Sequence, residues 1–308
     1  MRVGVVYGGT PEERGPSKKN AGDIAQALKS RGYDVYLTEI GRDIIRNLKD
    51  EDVDVVFLCV QGKGYGDGTF QAMLEHEGIP FTGSGMRAAS LINDKILCKL
   101  LFDHYKISTP KWDILDSDTY RDGSYPYEEF GYPFVAKSPT QGGSFGIELI
   151  RGREDLAKIR NVFAFDDPIF IESFIDGGFY TAGLYEKDDD LVVLPPVEGV
   201  DLDRSDESSD IISFTGNYDI RECTLSKEMK DRLTELAASV YKVTGARGYA
   251  RVDIMVSKDM TPYVLEINAV PGLKRASLMP KEAERAGIVY EDMIEDILTS
   301  AFSQITFA

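Results

Sequence analysis

Two short segments near the carboxyl end hold the residues best suited to chemistry. Arg251-Val252-Asp253-Ile254-Met255 and Leu265-Glu266-Ile267-Asn268-Ala269-Val270-Pro271-Gly272 both read as strands. Side chains on a strand alternate between faces. Arg251 and Asp253 therefore share one face, and Glu266 and Asn268 share one face of the second strand. Val252, Ile254, Leu265 and Ile267 point the other way, into a core. If the strands pair, two carboxylates and an amide oxygen converge beside a guanidinium. Oxygen donors of this kind suit Mg²⁺, which is held by one or two carboxylates while nucleotide phosphates supply further oxygens. A polar sheet face with a structural salt bridge is the alternative that spacing alone leaves open.

A second element is Lys137 followed by Gln141-Gly142-Gly143-Ser144-Phe145-Gly146. Glycines let backbone N–H groups approach phosphate oxygens, and a lysine at a strand end adds a point charge. An ordinary Gly-rich hairpin turn would explain the same residues. The segment is not a P-loop, because no Lys-Ser or Lys-Thr pair follows a glycine at the required distance. Gly62-Lys63-Gly64-Tyr65-Gly66 is not a dinucleotide fingerprint either, because no helix opens directly on it.

The elements that must position these groups fall into three runs, 1–92, 93–175 and 176–308. The first alternates strand and helix. Val3 to Tyr7 is a nearly continuous apolar run, typical of a buried parallel strand. Pro16 opens a helix with Ala21, Ile24, Ala25 and Leu28 on one face. Strands follow at 34–40, 53–60 and 79–82, with a short helix at 69–77. That order implies a doubly wound parallel sheet. The second run is a small α+β unit around the Gly-rich loop. Its helices cover 94–106 and 153–163, and its strands 112–115, 132–137, 145–150 and 168–175. The third run has strands at 180–185, 191–197, 249–256 and 263–268, and long helices at 227–243 and 289–302. The acidic stretch from Asp201 to Asp210 reads as a solvated loop.

Composition removes several classes. The chain has 308 residues, 35 Lys+Arg against 52 Asp+Glu, and a formal charge of −17. That length fits two or three domains. The acidity argues against nucleic-acid or anionic-membrane partners. No apolar run reaches the ~18 residues that span a bilayer, and the N-terminus reads as a strand and turn rather than a signal peptide. Three dispersed cysteines, Cys59, Cys98 and Cys223, point to reduced thiols in the cytosol. His76 and His104 lack companions at ligand spacing, which argues against a zinc site and against a Ser-His-Asp hydrolase.

The order of motifs resembles the D-alanine–D-alanine ligases of the ATP-grasp superfamily. The match runs from Gly8-Gly9-Thr10-Pro11-Glu12-Glu13-Arg14 to Gln61-Gly62-Lys63-Gly64-Tyr65-Gly66-Asp67-Gly68-Thr69. Phe81-Thr82-Gly83-Ser84-Gly85 and Asn93-Asp94-Lys95 follow, then the Lys137 loop, Glu172 and the Arg251/Asp253/Glu266/Asn268/Pro271-Gly272 set. The resemblance covers essentially the whole chain and implies an ATP-grasp fold behind an N-terminal α/β domain. It implies that Lys95 and Lys137 hold ATP phosphates beneath the Gly142, Gly143 and Ser144 loop. Glu172 and the backbone at Phe174 and Ile175 would meet the adenine. Asp253, Glu266 and Asn268 would bind two Mg²⁺, with Mn²⁺ as an alternative ion. Arg251 and the Gly272 N–H would stabilise a tetrahedral oxyanion. Glu13 would take the first substrate's ammonium, with Gln61 and Tyr218 nearby. Ser277, which could instead cap the next helix, and the Leu278 N–H would take the second substrate's carboxylate. The partners implied are small amino acids and a second copy of the chain, in a homodimer.

Departures from the family pattern gather around the substrates. Gln61 stands where these ligases usually have His, Gly66 replaces Glu, and Gly143 replaces Ser. Phe179 replaces a Glu that binds ribose, and Lys274-Arg275-Ala276 differs just before the second-substrate position. Lys274 and Arg275 would add positive charge there and favour an acidic or otherwise altered acceptor. Three readings follow: an amide-forming ligase, acting on D-alanine or on other amino acids and giving a linear or cyclic product; a nucleotide-binding protein without turnover; and a kinase that releases the acyl phosphate. Residues 201–218 are the expected lid over the intermediate.

Overall fold

The computed structural model describes residues 1–143, 145–201 and 218–303. The expected lid, apart from its end residues 201 and 218, and Ser144 lie outside the described residues, as does the side chain of Tyr218.

Arg2–Tyr7 (β1) is the central strand of a parallel sheet with Asp34–Glu39 (β2) and Val55–Leu58 (β3), in the order β2-β1-β3. Its apolar run is explained by complete burial of Val3, Val5 and Val6. The helices of this run are Pro11–Ser30 (α1), Ile44–Asp50 (α2), Thr69–His76 (α3) and Met86–Asn93 (α4). The first helix begins at Pro11, not at Pro16. Pro11 takes the first-turn position where a missing N–H costs nothing, and Pro16 is accommodated inside the helix. The strand expected over 79–82 is a single bridge between Val56 and Phe81. Pro80 has no N–H to extend a ladder.

The second run contributes Lys95–Tyr105 (α5), Trp112–Leu115 (β4), Ser117–Asp122 (α6), Tyr127–Phe130 (α7), Phe134–Lys137 (β5), Ile147–Ile150 (β6), Ile159–Val162 (α8) and Ile169–Ser173 (β7). Its strands form an antiparallel sheet in the order β4-β7-β5-β6. Asp94 caps α5 by accepting from the N–H groups of Ile96 and Leu97, which fixes where the Lys95 side chain emerges. The helix expected over 153–163 is a 3-10 segment, Arg153–Lys158, followed by the single turn of α8. The Asp155 carboxylate accepts from the Arg151 N–H just before this segment.

The third run builds the largest sheet. Gly177–Lys187 (β8), Asp190–Val193 (β9), Val197–Asp201 (β10), Tyr218–Arg221 (β11), Tyr249–Ser257 (β12) and Pro262–Asn268 (β13) form it. The order is β11-β10-β8-β12-β13, with β9 paired to β8, and every pair is antiparallel. The strand expected over 191–197 is two strands, because Pro195 and Pro196 interrupt it. Lys227–Thr244 (α9), Leu278–Arg285 (α10) and Tyr290–Ser303 (α11) complete the run.

The cores do not follow chain order. Val3, Val5, Ile24 and Leu28 from the first run pack with Tyr249, Leu273, Met279, Met293 and Ile297 from the last. The four-stranded sheet has its own core around Phe134, Ile150, Ile159 and Ile171. Cys59, Cys98 and Cys223 are buried free thiols. Among the described residues, no helix is long and apolar enough to cross a membrane.

Candidate active site

Strands β12 and β13 pair with Arg251 opposite Asn268 and Asp253 opposite Glu266. The register slips between Asp253 and Ile254, just beyond the four polar residues. The Arg251 guanidinium grips Asp253 with two bonds, Nε to Oδ1 at 2.8 Å and Nη2 to Oδ2 at 2.6 Å. This fork geometry fixes both side chains. The Thr181 hydroxyl on β8 donates to the same carboxylate at 2.8 Å. Asn268 Nδ2 lies 3.1 Å from Asp253 Oδ2 and 3.3 Å from Glu266 Oε1. The amide thus bridges the two acids. Burial disfavours the Glu266 anion, but Lys95, Lys137 and Arg251 more than offset this and lower its pKa. Arg251 stays charged for the same kind of reason, because Asp253 outweighs its burial.

These residues form one wall of a pocket of about 530 Å³. Glu13, Gln61, Lys95, Gly142, Gly143, Gly272, Ser277 and Leu278 also line it. Lys95 is anchored at both ends. Its N–H donates to Pro139 O at 3.0 Å, and its Nζ lies 2.8 Å from Gln141 O and 3.4 Å from Glu266 Oε2. The first turn of α1 carries Glu13 beside Gly62, where an added Cβ would lie 2.0 Å from Glu13 Oε2. Gly62 also has φ +82°, so glycine alone fits there. Gln61 Nε2 reaches Val270 O at 3.2 Å, which ties the N-terminal loop to the segment after β13. Ser277 precedes α10 but makes no side-chain cap. Its Oγ instead lies over Gly272, 2.9 Å from where a Cβ would be. The Gly-rich loop is held at its base by Asp166, which accepts from Ser138 Oγ and Thr140 Oγ1.

Lys137 and Glu172 form a second cluster. The Lys137 ammonium bonds Glu172 Oε1. Phe174 and Ile175 follow at the end of β7, half-buried, with Phe174 N donating to Pro133 O at 3.2 Å. Phe179 is buried and lies opposite Met255 in the β8–β12 ladder. Several groups escape a reading of the sequence. Lys99, Thr109, Thr181 and Asp166 brace site residues. Glu282 is fully buried on α10 and accepts from the Gly183 N–H. Only the spacing of Lys95 and Lys99, one helical turn apart, could have drawn attention to any of them.

The Lys274-Arg275 pair divides. Leu273 N–H donates to Asn20 Oδ1 at 2.8 Å and Arg275 N–H to Asp23 Oδ2 at 2.9 Å, so α1 clamps this loop on both sides of Lys274. The Arg275 guanidinium stacks 4.2 Å from the Tyr290 ring and pairs with Glu291 on α11. It does not line the pocket, contrary to the expectation that both cations face the second-substrate site. Lys274 does line it.

An oxygen-rich strand pair beside a lysine-anchored Gly-rich loop, set between two antiparallel sheets, defines an ATP-grasp protein. A family model described as "D-ala D-ala ligase C-terminus" matches residues 101–299. The chain is 33% identical to a D-alanine–D-alanine ligase of Desulforudis audaxviator, covering 97% of this chain and 98% of that one. It is 34% identical to one of Carboxydothermus hydrogenoformans, covering 97% of each. A solved D-alanine–D-alanine ligase from Bacillus anthracis in complex with ATP superposes with TM-score 0.83 at 28% identity, covering 98% of both chains. The chain belongs to the D-alanine–D-alanine ligase family, whose members are ATP-dependent enzymes that form carbon–nitrogen bonds.

Proposed function

We propose that this enzyme joins the carboxylate of one small amino acid to the amine of another, using ATP and passing through an acyl phosphate. The observation that carries the reading is the Arg251/Asp253/Glu266/Asn268 quartet on paired strands, with Gly272 and Ser277 adjoining it. Residues 93–175 and 176–308 would enclose the nucleotide, and 1–92 would supply Glu13 and Gln61 to the substrates. Two carboxylates and an amide oxygen are hard donors, matched to Mg²⁺ or Mn²⁺ that also takes phosphate oxygens. Asp253, Glu266 and Asn268 would hold such ions, whose chemistry is to neutralise charge on the transferring phosphoryl group. Lys95 and Lys137 would hold phosphates under the Gly142–Gly146 loop. Glu172 and the backbone at Phe174 and Ile175 would meet the adenine.

The chain's own residues then act in order. Glu13 holds the first substrate's ammonium, which points its carboxylate toward the phosphates. Attack of the second amine on the acyl phosphate produces a tetrahedral oxyanion, stabilised by Arg251 and the Gly272 N–H, and its collapse breaks the carbon–oxygen bond to phosphate, leaving the amide and inorganic phosphate. Ser277 Oγ and the Leu278 N–H receive the second substrate's carboxylate. Gln61 orients a substrate by hydrogen bonds but cannot carry a proton at neutral pH. The buried free thiols and the acidic charge fit work in the cytosol, and a homodimer is the assembly to look for by sedimentation. Supply of a dipeptide to peptidoglycan is the corresponding pathway role.

The test is Mg²⁺-dependent ADP release with D-alanine, with products read by mass spectrometry. A D-alanyl-D-alanine mass supports the family's usual substrates. An acyl phosphate trapped only by hydroxylamine indicates a kinase. Glu266→Gln should abolish turnover in a ligase; nucleotide binding with no turnover in either protein indicates a binder.

One observation favours an altered acceptor. Lys95 pairs with Glu266 and Arg251 with Asp253, whereas Lys274 has no ionic partner among the described residues. An unpaired cation on a loop whose backbone α1 clamps favours a second substrate with an additional negative charge. Lys274→Ala should then raise KM for D-aspartate or D-glutamate relative to D-asparagine or D-glutamine. Equal KM changes for charged and amide acceptors would remove this reading.

A further inference from the structure

Glu172 is shared. Its Oε1 takes the Lys137 ammonium and its Oε2 takes the Lys99 ammonium at 2.5 Å. The three side chains differ in exposure: Glu172 is 2% exposed, Lys99 0% and Lys137 14%. Lys99 is also held by Thr109 Oγ1 at 2.5 Å, and that hydroxyl donates to Val264 O on β13 at 2.8 Å. A continuous chain of bonds therefore runs from the backbone of the metal-site strand, through Thr109 and Lys99, to Glu172 and Lys137. Lys99 is the inner, fixed partner, and Lys137 is the outer one at the end of β5.

The charge arithmetic gives this arrangement a purpose. One buried carboxylate faces two ammoniums. A phosphate that draws Lys137 away leaves Glu172 with a counter-ion only because Lys99 is there. Without Lys99, the same movement would strand a buried carboxylate, and the loss of one partner of a buried ion pair is strongly unfavourable. Lys137 would then be locked onto Glu172.

We infer that Lys99 is a positioning residue: it keeps Glu172 paired so that Lys137 can turn from the carboxylate to a nucleotide phosphate. This rests on the reading that Lys137 serves the phosphates of ATP. Lys99 itself touches no substrate. Its effect must therefore depend on the phosphates of the ligand and on the charge of Glu172.

The experiment is a calorimetric double-mutant cycle on the full chain, with ATP and adenosine as probes. Lys99→Met should weaken ATP binding by about tenfold or more and leave adenosine within about twofold, because adenosine asks nothing of Lys137. On a Glu172→Gln background the same Lys99→Met change should cost ATP almost nothing. Lys99→Arg keeps the charge and should bind ATP like the wild type. Lys99→Gln, which can still bond Thr109, serves if the methionine variant does not fold, and should behave as that variant would. Equal losses for ATP and adenosine, or the same ATP loss on the wild-type and Glu172→Gln backgrounds, would reduce Lys99 to a structural brace and overturn the inference. Wild-type ATP affinity in Lys99→Met would overturn it too. If Lys137→Met left ATP affinity unchanged, the underlying reading of Lys137 would fail instead, and the inference with it.

Discussion

Glu172 and Glu282 are both fully buried, yet their surroundings give them opposite charge preferences. Burial would raise the Glu172 pKa, but Lys137 and Lys99 overcome it and bring it down to about 2. Burial raises Glu282 to about 7, with the Gly183 N–H and the distant Arg251 charge as weak opposition and Asp253 adding to the rise. Glu282 Oε1 has no hydrogen-bond partner among the described residues. Depth is the same in the two places. What differs is the number of cations within reach, and that number decides whether a buried acid keeps its proton. The side around Lys137 and Lys99 is built to hold charge. The α10 side, behind Arg251, is built to avoid it.

The largest expected break in this contrast comes from Glu172→Ala. It leaves Lys99 buried without a counter-ion, so urea denaturation should show a loss of ~3–5 kcal/mol. A loss below ~1 kcal/mol would mean that the lysines find other partners and that the pairing is not what holds the charge.

Glu282→Gln should act in the other direction. An acid with a folded pKa above its ordinary value of 4.5 stabilises the fold fully below that value. The contribution disappears as pH rises through about 7. Melting experiments from pH 4.5 to 8 should therefore show wild-type stability falling by up to ~3 kcal/mol from this group, and the glutamine variant should lack that fall. Parallel pH profiles would show that Glu282 is ionised throughout. Glu172 has the reverse sign. Its contribution is present at neutral pH and is lost only as pH drops from 4.5 toward 2.

The smallest effect concerns a charge that has left the site. Arg275→Ala removes a cation–π contact and a partly exposed ion pair, and should cost ~1 kcal/mol in a thermal melt. Acceptor preference should stay as in the wild type. A changed preference would return Arg275 to the pocket.

The quartet on β12 and β13 was legible because alternation holds from Arg251 to Asp253 and from Glu266 to Asn268; it breaks at the bulge, where Val264 is buried in the core and Leu265, expected there, is not. Two residues apart means one face, and the pattern of Val252, Ile254 and Ile267 identifies the other. Lys99 was not legible in the same way. A lysine on an amphipathic helix ordinarily reaches solvent, and only the placement of β7 against α5 turns this one inward. Glu282 hides in a charged run, Lys281 to Arg285, that looks like a solvated helix face. Arg275 and Lys274 are adjacent and alike, and their fates separate through Asn20 and Asp23, far away in the chain, and through Tyr290 and Glu291. The prolines misled in a more local way. Pro16 carried the weight that belonged to Pro11, and Pro195-Pro196 cut a strand that apolar residues alone would continue.

The shared packing of the first and last segments bears on how the chain is made. The inner faces of β1 and α1 meet Met293, Ile294 and Ile297 of α11. A ribosome releases those partners long after β1 and α1. That strand must therefore wait, with its apolar side uncovered, until α11 has emerged, while the four-stranded sheet between them can close its own core first. In synthesis, the middle of this protein is its beginning.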